Sequence, residues 1–146
     1  MRIFEMSQNE CIDLLNRASL GRLACSLDNQ PYVVPICFVH DPERVYVFST
    51  LGQKIEWMRQ NPIVCLQTDE IRDHSNWTSV VLNGTFVELR ESAEIKHARE
   101  RLAKLADWWP TPLAERREHT SDLSIQPIFF RIDITFMSGL RAISQP

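Results

Sequence analysis

Helical spacing and composition predict three helices. Residues 8–18 carry an apolar residue at every third or fourth position, at Cys11, Leu14, Leu15 and Ala18. They follow a capping box, in which Ser7 and Glu10 bond each other's backbone amides. Gly52–Asn61 is rich in helix-forming residues and ends before Pro62. The third helix, Glu94–Leu105, has Ser92 as its expected cap and one apolar face, at Ile95, Ala98, Leu102 and Leu105.

Runs of β-branched and aromatic residues predict about six antiparallel strands. The clearest is the last strand, where one apolar face is expected on a core: Ile128, Phe130, Ile132, Ile134 and Phe136. The other five, separated by turn residues, are Leu20–Leu27, Tyr32–Val39, Val45–Ser49, Ile63–Thr68 and Ser79–Leu89. Residues 1–146 are therefore predicted to form one mainly β domain, a closed or nearly closed barrel with peripheral helices.

Composition narrows the class of protein. The chain has 146 residues, of which 44% are hydrophobic, and a net charge of −3 without a basic run, which argues against a nucleic-acid binder. No apolar run approaches the roughly 20 residues of a membrane span, and the first residues lack a signal-peptide core, so we expect a cytoplasmic protein. The scattered spacing of the four cysteines predicts buried reduced thiols rather than a zinc site: Cys11, Cys25, Cys37 and Cys65.

The segment from Val45 to Ile55 carries the most specific chemistry. A predicted strand runs into two hydroxyls, Ser49 and Thr50, and then into Gly52 and Lys54 at the first turn of a helix. Amides at a helix N-terminus favour an anion, and a lysine adds a compact positive charge. The segment therefore predicts a phosphate-binding site. The start of a helix with a solvated lysine and no ligand would have the same pattern. The segment does not have Walker A spacing.

Five stretches in order resemble the pyridoxamine 5′-phosphate oxidase-like FMN-binding split β-barrel proteins, in particular the subgroup of nitroimidazole-resistance-type proteins. Their positions are 20–24, 30–36, 45–55, 61–65 and 77–84. The resemblance implies a six-stranded antiparallel split β-barrel with FMN at the interface of a homodimer. It also implies that the phosphate and ribityl chain are held by Ser49, Thr50, Gly52 and Lys54.

The same resemblance assigns the flavin ring. Backbone groups of four β-strand residues would line it, namely Val33, Val34, Pro35 and Ile36. Ser79 would lie near the ribityl-phosphate end, and Trp77 would flank it. A flavin needs such an apolar slot beside a separate anion site.

Three positions depart from the family pattern. Gln53 stands where an arginine usually precedes the lysine, and Arg22, Arg59 or a partner residue would have to compensate. Val33 and Phe38 replace the basic residues that true pyridoxamine phosphate oxidases carry, which argues against that activity. The function expected is an FMN-dependent oxidoreductase acting on a small uncharged substrate. The alternatives are a non-enzymatic flavin-binding module and a split barrel that uses haem or a deazaflavin.

Some other residues have an open role. His40 and His74 are expected at the surface or in hydrogen bonds. The alternative is that either one faces a ligand, because some related split-barrel proteins bind haem or have a histidine near the flavin. The charged stretch from Asp69 to His74 is expected to be a solvent-facing loop. Trp108 and Trp109 would pack at a helix end or dimer interface, or would roof a neighbouring subunit's flavin.

Overall fold

A computed structural model describes residues 1–105 and 127–145 of the chain. In chain order, the described elements are β1 (Arg2–Glu5), α1 (Gln8–Arg17), β2 (Leu20–Leu27), β3 (Gln30–Asp41), β4 (Arg44–Thr50), α2 (Gln53–Gln60), β5 (Ile63–Asp73), β6 (Asn76–Glu88), α3 (Ser92–Leu102) and β7 (Pro127–Ile143). No helix among these is long and apolar enough to cross a membrane.

Six of the strands close into a barrel. Their order is β7-β4-β3-β2-β5-β6, every pairing is antiparallel, and β6 pairs back with β7. The short β1 adds to the far end of β7. The predicted mainly β fold, a six-stranded antiparallel split barrel with three helices, is confirmed. The additional strand β1 was not predicted.

The hairpin that joins β2 to β3 has a two-residue turn. Asp28 and Asn29 both have positive φ, 49° and 65°, as a type I′ turn requires, and aspartate and asparagine tolerate that conformation. The turn sets Leu27 opposite Gln30 and, at the other end of the ladder, Leu20 opposite Cys37. The register of β3 is therefore set by the local sequence.

Helices α1 and α2 follow their predicted boundaries within one residue, whereas α3 begins two residues before Glu94 and ends three residues before Leu105. The capping box of α1 is present, because Ser7 Oγ accepts from the Glu10 amide and the Glu10 carboxylate accepts from the Ser7 amide. In α3, however, Ser92 is the first helical residue. Glu91 is in the cap position without a side-chain bond, so the predicted Ser92 cap is wrong.

The core has two parts. The larger fills the barrel interior and includes Phe38, Leu66 and Phe130, all nearly inaccessible to solvent. The smaller lies outside the barrel wall, where α3 covers β4 and β7; it consists of Tyr46, Phe48, Leu89, Ala98, Leu102 and Phe129. Strand β7 is thus buried on both faces near its start, at Phe129 and Phe130, because α3 supplies the second layer.

A β-bulge in β7 corrects the predicted core face. Asn83 is opposite Phe136 but Gly84 is opposite Ile134, so β7 has one extra residue, Thr135, at this point. An extra residue reverses which face the following side chains occupy. Phe136 is therefore 61% exposed, while Met137 packs against the core. A second correction concerns 69–73, which continue β5 rather than form a loop; only His74 and Ser75 make the turn.

Gly84 is required by close packing at this bulge. A Cβ added there would lie 2.5 Å from the backbone oxygen of Asp133, which cannot move without breaking the ladder. We expect Gly84→Ala to lower the free energy of unfolding by about 1–3 kcal/mol in urea denaturation. Gly52→Ala is the matched control, since a Cβ at Gly52 meets nothing within 4 Å. An equal loss in both variants would contradict this account.

Candidate cofactor site

Residues 49–54 run from the end of β4 to the first turn of α2 and form an open corner at the edge of the barrel. Ser49 is buried and its Oγ donates to the Thr50 carbonyl oxygen at 3.2 Å. Gly52 is extended, occupies the N-cap position of α2 and leaves open space above its Cα. Because it has no side chain, Gly52 does not itself cap the first amides of α2, whose dipole favours an anion there.

Lys54 adds positive charge to this corner. It lies in the first turn of α2 and is half-buried. Burial raises the pKa of the Cys25 thiol in β2, and the Lys54 ammonium opposes that rise. The ammonium is therefore close to β2. A second contact also joins α2 to the hairpin, since the rings of Tyr32 and Trp57 have centroids 5.7 Å apart.

Beside α2, strand β3 has an open backbone edge. The Phe38 amide donates to the Ser19 carbonyl on the β2 side. In an antiparallel ladder the bonding side alternates, so Val33 and Pro35 direct their backbone groups away from β2. On that side, the described ladder to β4 begins only at Phe38 opposite Val47. The Val33 amide and the Val33 and Pro35 carbonyls therefore have no ladder partner among the described strands.

This open edge explains why Pro35 is tolerated in the middle of β3. Proline has no amide hydrogen and is tolerated where no ladder bond is needed. The edge, together with the start of α2, borders a gap between β3 and the end of β4, which pairs with β7 through Thr50 opposite Pro127. The gap is the split in the barrel.

The side chains of 33–36 divide between two faces. Val33 and Pro35 are exposed on the outside of the sheet, whereas Val34 is half-buried and Ile36 belongs to the core. Only the first two offer an apolar surface to a ligand. The backbone groups of Val34 and Ile36 bond to β2, so the predicted backbone contacts to a flavin ring remain open only to Val33 and Pro35.

Ser79 and Trp77 lie elsewhere in the same chain. Ser79 is on β6, three strands from β3, which corresponds to about 14 Å across the sheet. Trp77 lines a shallow cavity of about 530 Å³ between the β5–β6 hairpin and the end of β7, together with Arg72 and Arg141. Residues 33–36 of β3 and the end of β4 flank the same gap, whereas Trp77 and Ser79 lie on another strand, β6.

A polar network on the outside of the sheet was missed by the sequence reasoning. Gln67 Nε2 donates to Asp69 Oδ2 at 2.8 Å and to Ser79 Oγ at 3.0 Å, and Arg22 Nη1 donates to the same Asp69 oxygen at 3.0 Å. The register sets Arg22 opposite both Pro35 and Gln67. Two polar residues at alternate positions of β5, Gln67 and Asp69, were the available signal. We call Arg22, Gln67, Asp69 and Ser79 the outer polar network.

Both arginines that were expected to compensate for Gln53 already have carboxylate partners. Arg59 forms two hydrogen bonds with the Glu88 carboxylate, at 2.7 and 3.1 Å, and this arginine holds the pKa of Glu88 below its usual value. Arg22 belongs to the outer polar network. Within the described residues the positive charge at the corner comes chiefly from Lys54.

The remaining candidate residues differ in burial and in hydrogen bonding. Phe38 is fully buried in the barrel and His74 is exposed in a turn. His40 is buried with its Nδ1 2.6 Å from Asn16 Oδ1, so the predicted hydrogen bond is present but a surface position is wrong. All four cysteines are free; two are buried and two half-buried. Trp108 and Trp109 lie outside the described residues, among which no group of side chains has the composition of a metal site.

Comparison with known proteins agrees with this architecture. A curated relative, an uncharacterised protein of Rhizobium meliloti (strain 1021), is 40% identical over 142 residues, which cover 94% of this chain and 93% of the relative. The crystal structure of an FAD-binding protein from Mesorhizobium loti is 39% identical, with a TM-score of 0.79 and coverage of 97% and 99%. A candidate 5-nitroimidazole antibiotic resistance protein from Bacteroides thetaiotaomicron shares the fold at 17% identity, with a TM-score of 0.69 and coverage of 97% and 89%.

The closed ring of six strands, split between β3 and β4, defines the class as a split β-barrel. The family model described as pyridoxamine 5′-phosphate oxidase matches residues 7–141. The chain belongs to this family, as the sequence resemblance predicted.

The open edge of β3 can be tested by proline substitution in the ligand-free protein. We expect Val33→Pro to be at least about 2 kcal/mol less destabilising than Val34→Pro, because only the Val34 amide bonds to β2 and a lost ladder bond with ring clash costs roughly 3 kcal/mol. Urea denaturation of both variants measures the difference. Equal losses would mean that Val33 also donates to a ladder.

Proposed function

We propose that the chain is a flavoprotein that binds FMN with its phosphate at the corner between β4 and α2. The observation that carries the proposal is the position of an unpaired strand edge beside an anion site. The Val33 amide and the Val33 and Pro35 carbonyls supply donor and acceptor groups, as the polar edge of a flavin ring requires. The start of α2 and Lys54 supply the separate phosphate site.

The FAD-binding relative from Mesorhizobium loti, at 39% identity, supports a flavin as the ligand. We favour FMN over FAD because the corner offers one lysine, two hydroxyls and one helix start, which suits a single phosphate group. Ser49, Thr50, Gly52, Lys54 and the first amides of α2 would contact the phosphate and the ribityl chain.

We propose a homodimer because the outside of the sheet has an exposed apolar surface. Leu20 and Val33 are 55% and 62% exposed there, and Pro35 is exposed beside them. A second copy would cover this surface, and its Trp77 and Ser79 would reach the flavin that they cannot reach in their own chain. The site is then shared between two subunits related by a two-fold axis.

The reaction that fits the site is a flavin-dependent oxidoreduction of a small uncharged substrate. The flavin supplies the redox chemistry, and the chain supplies its binding and orientation. A phosphorylated vitamin is not the substrate we propose, because Val33 is apolar and Phe38 is sealed in the core, so neither offers a counter-charge. Turnover of NADH or NADPH with a nitroaromatic or quinone acceptor would separate this oxidoreductase from a flavin-binding module without activity.

The cofactor and its phosphate site can be tested together. We expect the flavin released from the purified protein to co-elute with FMN; FAD or a haem Soret band would contradict the proposal. Replacing Lys54 with alanine should weaken FMN binding by about 1.5–3 kcal/mol, the range for a hydrogen bond to a charged group, as measured by flavin fluorescence quenching. Lys96→Ala, on the exposed face of α3, is the control and should leave the affinity unchanged.

A shared site predicts complementation between two defective variants. Lys54→Ala and Trp77→Ala should each bind FMN weakly as pure homodimers. After unfolding and joint refolding, each mixed dimer would contain one site with both wild-type residues. Tight FMN binding should therefore return in the mixture. If it does not return, Trp77 does not act across the interface.

A further inference from the structure

A second cavity lies at the opposite end of the β3–β4 hairpin from the proposed phosphate site. It has a volume of about 720 Å³, and its walls come from α1, the β3–β4 turn, α3 and β7. Arg44 lines it, and Ser49 lies five residues further along β4, a separation of about 17 Å in an extended strand. The cavity is therefore separate from the corner where the phosphate would bind.

His40 presents one unused nitrogen at this cavity. Its Nδ1 is 2.6 Å from the Asn16 side-chain oxygen, an arrangement in which Nδ1 carries the proton and Nε2 keeps its lone pair. Loss of solvent lowers the pKa of the imidazole, which favours the neutral ring. Nε2 has no hydrogen-bond partner in the described part of the chain, and His40 lines the cavity. A ligand that donates a hydrogen bond would satisfy it.

The two arginines of the wall already lie near carboxylates, and the side chain of Glu43, the other charged residue at the β3–β4 turn, is exposed to water. Arg44 is 3.6 Å from a Glu94 oxygen and 3.9 Å from an Asp133 oxygen. Arg101 Nη2 donates to the His40 carbonyl at 2.8 Å and lies 4.0 Å from Asp41. An added anion would compete with these carboxylates. The cavity therefore favours an uncharged ligand.

The rest of the wall is apolar. Ile12 comes from α1, Pro42 from the β3–β4 turn, and Ile134 and Met137 from β7. Apolar walls with a few convergent polar groups are characteristic of small-molecule sites, and the volume is in their usual range of roughly 300–1,000 Å³. The arrangement combines this apolar part of the lining with a buried acceptor, His40 Nε2, while Asn16, Glu43 and Asp133 are the other residues of the wall that carry side-chain oxygens.

We propose that this cavity binds an uncharged small molecule with an apolar body and one hydroxyl or N–H group, which donates to His40 Nε2. The ligand class is that of phenols and amphipathic alcohols. The site is independent of the proposed flavin function, because no residue of the phosphate corner, the open β3 edge or the outer polar network lines it.

The probe that tests it is phenol, with anisole as a matched compound that lacks the donor. Phenol titrated into the full-length protein should produce saturable shifts of the methyl NMR signals of Ile12, Ile134 and Met137. Anisole should bind about fivefold more weakly, as loss of one neutral hydrogen bond implies. The proposal would be overturned if phenol produced no saturable shift, or if anisole bound equally well.

Two variants assign the preference to His40. His40→Leu replaces the imidazole with an apolar side chain and so removes the acceptor. Phenol and anisole should then bind equally. His97→Leu is the control and should retain the preference, since His97 bonds to Asp41 and does not line the cavity. Ile134→Trp leaves His40 in place but fills the cavity, and it should abolish binding of both probes. Retained preference in His40→Leu, or retained binding in Ile134→Trp, would refute the site.

Discussion

Closure of the barrel by β7 is the constraint on which the rest of the structure depends. This strand pairs with β4 through residues 127–133 and with β6 through residues 130–142, so residues 130–133 pair on both sides and complete the ring. Beyond Val47, β4 continues along β7 and no longer along β3. The open edge of β3 is the consequence. Closing the ring on one side of β4 leaves a split on the other, and backbone groups exposed at such a split are available to a ligand.

The bulge in β7 allows this one strand to pair with three others, β1, β4 and β6. Without the extra residue at Thr135, the side chains beyond it would keep their alternation, and Phe136 would lie inside the barrel. The bulge instead turns Met137 and Gly139 inward. There the end of β7 passes under α1, and a Cβ at Gly139 would lie 2.8 Å from the Cys11 sulfur. Bulges increase local twist, which helps a long strand to follow a closed sheet.

Charge is distributed differently at the two ends of the β3–β4 hairpin. At the α2 end, both Arg22 and Arg59 are held by carboxylates, and Lys54 is the cation of the corner. At the turn end, Arg44 and Arg101 lie near Glu94, Asp133 and Asp41. We have proposed an anion for the first end and a neutral ligand for the second. A paired arginine is not a counter-ion for another group, because breaking the existing pair leaves a carboxylate uncompensated.

Local sequence patterns by themselves determined much of this protein. The capping box of α1, the Asp28-Asn29 turn and the strand–Ser49-Thr50–helix order depend on residues close in sequence, and each was predictable within a few positions. Family resemblance then identified the split barrel. Only the tertiary structure decided that Phe136 is exposed, because a bulge depends on pairing with Gly84, 52 positions away. It also decided that Arg59 is held by Glu88 and that Ser79 lies about three strands from Val33. Those outcomes depend on which strands become neighbours, which no local spacing encodes.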